Sequence, residues 1–306
     1  MIEFYIKTIK QRKIKKIPNF EKGCLIYVKE PTLEEVENLS KNFSLDKSLL
    51  KDALDPNEIP RIETKDEVRY IFLRAPLQEE KTITTVPFLF IIAPQFCLLM
   101  AQKKIPFLEK FLFTQEEFYT TQKLKFFLQI LSAVGNKYEF FVLKISKRIR
   151  SLGLSIKEVE EKDIFQLLNF EMIFQDFTIS LSNLKALFSK LLYLEKLDFY
   201  PEDKELINDI LLQIDELQSI MVSNLKNIIH IREIHEIVLS NKINQAMKLL
   251  TALTVIVAIP TIIASFYGMN VHLPLAKNPF SFWILLLVTI VFVAILVYIF
   301  RRKKWF

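Results

Sequence analysis

The sequence predicts an α+β domain, a mixed sheet flanked by helices, followed by a long stalk helix and two transmembrane helices. Three observations carry this prediction. The first hundred residues alternate short β-rich runs with capped helical patterns, residues 202–247 contain neither Pro nor Gly, and two uncharged apolar runs lie near the C-terminus. Hydrophobic residues make up 51% of the 306, at the top of the soluble range, and the excess is concentrated in those two runs.

Within the first segment, 1–113, five stretches have strand composition: Ile2–Ile6, 24–28, 68–73, Thr82–Ile92 and 96–100. Thr32 followed three residues later by Glu35 is a capping box opening a helix to about Asn42. Asp46 caps a second short helix that stops near Asp55-Pro56. Pro87 and Pro94 interrupt the later strands, which predicts sheet-edge positions or bends there.

From about residue 115 the pattern becomes helical. Residues 116–152 and 157–199 are long, charged and periodic, and Tyr200-Pro201 breaks the chain after them. The segment 114–200 is expected to pack on a stalk at 201–248, which runs into the first span with no break signal. A helix over 202–267 is about 100 Å long. Along the stalk, Ile207, Ile210, Ile214, Leu217, Met221, Ile228, Ile231 and Val238 recur at near-3.5 spacing, interrupted by Asn224 and His235. Core packing within one chain is the plain explanation, and association of parallel copies is the expectation preferred here.

The apolar runs are 249–267 and 279–300, each free of charge and about the 20 residues needed to cross a bilayer core. The second span is placed at 280–300, with 268–279 as the loop between spans and 301–306 as a basic tail. Arg301, Arg302, Lys303 and Lys304 follow the second span, and clustered positive charge marks the cytoplasmic side. Both termini and the α+β domain are then cytoplasmic in a multi-pass cell-membrane protein, and the loop faces outward with Lys277 as its one charge. Trp283, Tyr298 and Trp305 sit at span ends as interfacial aromatics do. The first residues show no uninterrupted apolar stretch of the signal-peptide kind.

Several function classes drop out. Four glycines, at 23, 135, 153 and 268, cannot spell a phosphate-cradling loop. Cys24 and Cys97 read as small apolar strand residues rather than a disulfide framework. Three histidines leave little for a zinc module, and His230 and His235, five apart, read as stalk surface or interface. Nothing points to an enzyme or to nucleic acid. The acids Glu202, Asp203, Glu205, Asp209, Asp215 and Glu216 cluster at the start of the stalk. A solvated face is the default reading, and a divalent-cation site between neighbouring protomers is the sharper one.

Two spans cannot enclose an aqueous path, so transport requires an oligomer. Asn244, Met247, Leu250, Thr254, Ala258, Thr261 and Ser265 share one face of the first helix at steps of three and four. Such small and hydroxyl residues serve equally as helix-packing contacts, and the periodicity leaves both roles open. Glu236 is the last acid in the chain, so any cation in the hairpin is held by neutral oxygens. That suits Mg²⁺, which surrenders its waters reluctantly, with apolar side chains lower down closing a pore by dewetting.

The loop after the first span reads Tyr267-Gly268-Met269-Asn270 and continues Val-His-Leu-Pro. It resembles the Gly-Met-Asn signature of the CorA family of magnesium channels. The tail RRKKWF and the stretch DALDPNEIPRIETKDEVRYIFLRAPL (52–77) are similar to the corresponding family segments. The resemblance implies a homopentamer in which the first span lines a pore for divalent cations, with no catalytic cofactor. It implies a selectivity filter at Gly268, Met269 and Asn270, with the Asn270 amide as outer ring and the Gly268 carbonyl beneath. It further implies a polar ring at Thr261, a constriction at Asn244, Met247 and Leu250, and closure when Mg²⁺ occupies acidic sites, for which Asp209 is the candidate. Co²⁺ or Ni²⁺ passage is a secondary activity. A zinc-transporting relative of the same fold and a non-conducting membrane-anchored scaffold are the alternatives. One departure stands out: many members carry an acid just after the loop proline, whereas Pro274 is followed here by Leu275, Ala276 and Lys277.

Overall fold

The structure is a computed structural model and describes residues 1–80, 82–114, 118–156, 159–193, 200–271, 274, 279–303 and 305. It divides into two compact units, Met1–His230 and Ile231–Phe306. In the first unit the strands among the described residues are β1 (Ile2–Ile6), β2 (Lys15–Ile17), β3 (Leu25–Lys29), β4 (Arg61–Lys65), β5 (Val68–Glu79), β6 (Thr82–Ile92) and β7 (Cys97–Ala101). They form a single mixed sheet in the order β2-β1-β3-β7-β6-β5-β4. Only β3 and β7 are parallel.

Alternation assigns the two faces of this sheet. Ile26, Val28, Tyr70, Phe72, Leu89, Ile91, Leu98 and Met100 point to one face, where α1 (Leu33–Phe43) and α2 (Lys47–Asp52) supply Val36, Leu39 and Leu50. The intervening residues point to the other face, where α4 (Lys123–Leu154) sets Phe126 and Phe127 against Phe90. Strands covered on both faces read as unbroken apolar runs, and β7 is buried at every position. Cys97 is one of these residues and Cys24 precedes β3. Both are fully buried free thiols, and burial pushes both upward from the ordinary thiol range.

The helix starts follow their capping chemistry. The Thr32 hydroxyl accepts from the Glu35 N–H while the Glu35 carboxylate accepts from the Thr32 N–H. Asp46 accepts from the N–H groups of Ser48 and Leu49. The second helix closes at Asp52, earlier than the Asp55-Pro56 limit expected.

The prolines illuminate the sheet. Pro87 lies in β6, whose partners are β5 and β7, so it is not on an edge strand. Pairing with β7 stops at Phe88, so residues 82–87 pair with β5 alone. Pairing of β5 with β4 likewise ends at Phe72, short of Pro76. Both prolines therefore occupy a two-stranded ribbon where a missing N–H breaks no third-strand ladder. Arg74 pins that ribbon, donating to the Thr85 hydroxyl and carbonyl and to the carbonyls of Pro56 and Glu58. Neighbouring Arg61 holds Asp52, Glu58 and Glu63 and lies over the Phe72 ring. These two arginines organise the 52–77 stretch.

Three elements depart from the sequence reading. Strands β2 and β4 were not expected; β4 joins β5 through Asp66 and Glu67, both at positive φ without a glycine. The helix expected over 116–152 is preceded by a separate one, α3 (Pro106–Thr114), and itself spans Lys123–Leu154. The helix expected over 157–199 is α5 (Glu161–Tyr193), and its predicted ends fall outside the described residues.

Helix α6 runs from Pro201 to Tyr267. Its apolar stripe does not await a second copy, contrary to expectation. Ile207, Ile210, Ile214, Leu217, Met221 and Ile228 are at most 3% exposed within the single chain, because α4 and α5 cover them. Gln213 donates to Asn136 and Glu139 of α4, Asn224 donates to Ser146 of α4, and Gln218 donates to Ser182 of α5. Gly135 leaves room for the Gln213 side chain, since a Cβ there would fall 2.5 Å from its Oε1. On the same layer Tyr138 packs edge-on against Phe177 of α5, with centroids 4.8 Å apart, and donates to the Arg74 carbonyl.

Phe177→Ala is expected to cost about 3–5 kcal/mol by opening a cavity at this junction. Ile179→Ala, at an exposed position, should stay within about 0.5 kcal/mol. Thermal unfolding of the detergent-solubilised full chain checks the difference.

Candidate functional site

The second unit contains the C-terminal part of α6 and α7 (Ser281–Arg302). Both helices are long and apolar enough to cross a membrane, and their most apolar windows are almost wholly exposed. Side chains such as Leu253, Val257, Trp283, Leu287 and Ile290 show more than half of their surface. A continuous apolar exposure of this kind marks a surface matched to a non-aqueous partner.

Partial burial in this unit is periodic and separates the faces of α6. Ala252 is buried, and Val255, Ile256, Ile259, Ile263 and Tyr267 are half-buried, all on one stripe. On α7 the half-buried positions are Ser281, Leu285, Thr289, Val293, Leu296 and Phe300, again one stripe. Each helix thus has one partly covered side. At about 100° per residue, Met247, Leu250, Thr254, Thr261 and Ser265 fall on the opposite side of α6 and are exposed, whereas Asn244, also exposed, falls at the flank close to the direction of Val255. Ala258 belongs to the same face and is half-buried. Six of the seven expected residues therefore share the side of α6 opposite its partly covered stripe, and Asn244 lies at the edge of that side.

The polar groups on this face are neutral. Thr254 Oγ1 donates to the Leu250 carbonyl at 2.8 Å and Thr261 Oγ1 to the Val257 carbonyl at 2.9 Å. Their lone pairs are left as outward acceptors. Thr251 and Thr289 make the same bond to the residue four back, at 2.8 and 2.7 Å. Pro260 lies within the helix and removes one ladder bond.

The helix closes at the Gly-Met-Asn tripeptide. The Gly268 N–H reaches the carbonyls of Ala264 (3.0 Å) and Ser265 (3.2 Å), and the Met269 N–H reaches Phe266 (3.3 Å). A Cβ on Gly268 would sit 3.3 Å from the Ala264 oxygen, so glycine keeps the carbonyl end of the helix uncovered. Gly268, Met269 and Asn270 are all exposed. They stand at the negative end of the α6 dipole, roughly half an elementary charge. His272, Leu273 and the four residues after Pro274, 275–278, lie outside the described residues.

Asp209 is exposed on α6 in the first unit. The acids around it divide by role. Asp203 is buried and accepts from the Tyr200 N–H, Glu202 pairs with Lys125, and Asp215 pairs with Lys185. Among the described residues no group of three or more His, Cys, Asp or Glu is arranged to hold a metal ion.

The profile of the CorA-like Mg²⁺ transporter protein family matches residues 21–302. The chain belongs to the CorA family. It is 32% identical to the cobalt/magnesium transport protein CorA of Methanocaldococcus jannaschii, across 94% of this chain and 93% of the relative. The complete structure of a CorA magnesium transporter from the same organism superposes with a TM-score of 0.85 at 26% identity, covering 100% of this chain and 99% of that one. The cytoplasmic domain of ZntB from Vibrio parahaemolyticus shares the fold alone, with a TM-score of 0.61 at 7% identity over 76% of this chain and 96% of that one. CorA proteins are membrane ion transporters, not enzymes, and this chain has the mixed-sheet domain, the long helix and the two candidate spans of a CorA protein.

The hairpin-facing stripe escaped the sequence reading. Ile256, Ile259 and Ile263 have the same chemistry as the exposed Leu253 and Val257, so no signal in the sequence separates them.

Cysteine placed at 254, 261 or 265 is expected to react with a water-soluble thiol reagent in the reconstituted protein, and cysteine at 256, 259 or 263 to resist it. Mass-shift labelling with Cys24 and Cys97 left in place, both fully buried, checks this.

Proposed function

We propose that the chain forms a homopentameric Mg²⁺ channel of the cell membrane, with both termini cytoplasmic and α6 lining the pore. The observation that carries this reading is the one-sided placement of Thr254, Thr261 and Ser265 opposite the partly covered stripe of α6. A single hairpin has no use for an exposed polar stripe in lipid, whereas several copies turned inward give it water.

The chemistry of selection follows from the missing carboxylates. With no acid after Glu236, the pathway cannot strip a small divalent ion of tightly held water. Neutral acceptors do something else: they accept hydrogen bonds from the waters of the hydrated ion. The Asn270 amide oxygens form the outer ring, Gly268 carbonyls lie beneath, and Thr261 supplies a further acceptor ring. Five converging helix C-termini add roughly two and a half negative charges at the mouth, which draws cations without an acid in the loop. Met247 and Leu250, more than half exposed on the same face, close the inner end by dewetting.

Closure by cytosolic Mg²⁺ uses Asp209 together with groups from a neighbouring copy, since one chain offers no three-ligand cluster among its described residues. Co²⁺ and Ni²⁺ also keep octahedral water shells and pass as secondary ions.

Asn270→Ala should lower Mg²⁺ flux into proteoliposomes by about tenfold or more, the equivalent of one or two charge-assisted hydrogen bonds. Wild-type flux at background, or undiminished flux in the variant, overturns the reading. Asp209→Asn should leave flux high when Mg²⁺ on the cytoplasmic side is raised, where the wild type falls.

A further inference from the structure

From residue 237 onward the chain has seven basic residues and no acid. Lys277 belongs to the loop, and the others gather at the opposite end of the hairpin. Five of them are described: Lys242 and Lys248 on α6, and Arg301, Arg302 and Lys303 at the end of α7. All five are exposed, and none forms an ion pair among the described residues.

Depth groups them further. Lys248 lies 19 residues before Tyr267, about 28 Å along α6, and Arg302 lies 21 residues after Ser281, about 32 Å along α7. On both helices these charges thus lie about one hydrocarbon thickness, roughly 30 Å, from the loop end. That is the level of lipid headgroups. Trp305 marks it too: its N–H returns to the Phe300 carbonyl at 3.0 Å and its ring stacks on Phe300 with centroids 5.1 Å apart. A folded-back Trp beside arginines is the composition of an interfacial anchor.

We infer that Lys248, Arg301, Arg302 and Lys303, with Trp305 alongside, form a binding site for the phosphate groups of anionic phospholipids, and that cation passage depends on its occupancy. The dependence rests on the channel reading above. A permeating Mg²⁺ must pass an end of the hairpin where each chain carries six basic residues and no acid, and repulsion there opposes it. Lipid phosphates are anions fixed at that level and offset the field without entering the pathway. Arg301 and Arg302 suit phosphate by their forked donor geometry, and basic clusters next to a span attract anionic lipid through the surface potential.

The test uses the purified full chain. In native mass spectrometry from detergent, the wild type is expected to retain phosphatidylglycerol in preference to phosphatidylcholine. The combined variant Arg301→Gln, Arg302→Gln, Lys303→Gln should lose that preference, and Arg301→Lys with Arg302→Lys should keep it. Wild-type Mg²⁺ flux should be at least about fivefold higher in vesicles containing phosphatidylglycerol than in pure phosphatidylcholine. That comparison needs no variant to fold. Equal retention of the two lipids, equal flux in the two vesicles, or displacement of the lipid by inorganic phosphate at physiological ionic strength would each overturn the assignment. Retained lipid preference with no flux in either vesicle would refute the channel reading and leave the lipid site standing.

Discussion

One helix has to satisfy two solvents. Helix α6 spends its first turns against the protein's own α4 and α5 and its last turns in a segment built for lipid, without a break between Pro201 and Tyr267. In its first part the constraint is met by a stripe of isoleucines and leucines fully covered within the chain, with Asn224 and Gln213 fixing alignment through side-chain hydrogen bonds to α4. In its last part the same 3.6-residue repeat separates a partly covered apolar stripe from an exposed oxygen-bearing one. The proposals made for the hairpin follow from what that repeat places on which side.

Polar atoms along this helix are treated differently in the two regions. Near the α+β domain they are paired across helices and lock neighbours together. In the hairpin the threonine hydroxyls donate back to their own backbone, the usual arrangement where no water is at hand. A hydroxyl bonded in this way costs little in an apolar setting and still offers lone pairs outward. That lets a span stay apolar enough to insert and yet present oxygen on one side.

Legibility in the sequence tracked how locally each feature is determined. The Thr32–Glu35 box and the Asp46 cap were readable because three-residue spacing alone defines them. The long helix and both spans were readable from length and charge. Strand β4 was not, because its turn at Asp66 and Glu67 takes positive φ without glycine and because Thr64 and Lys65 lie on an exposed edge. Helix α3 escaped because the run beside it is equally apolar. The stalk stripe was correctly placed, but its partner was misjudged, since periodicity reports a buried face and not what buries it. At the candidate site, the three- and four-residue steps drew Met247 to Ser265 onto one side but put Asn244 with them, where the structure sets it at the flank. The partly covered stripe was not legible, because lipid and helix packing ask for the same side chains.

The internal bonds of Thr254 and Thr261 have one more consequence. Chloride and other anions are solvated by hydrogen-bond donors, and these hydroxyls have already committed their single hydrogen to a carbonyl four residues earlier. In the channel proposed above, a ring of such groups is electrically neutral and nevertheless one-handed: it solvates what brings its own hydrogens and is inert toward what must borrow them. In that proposal, discrimination by sign of charge is built from atoms that bear none.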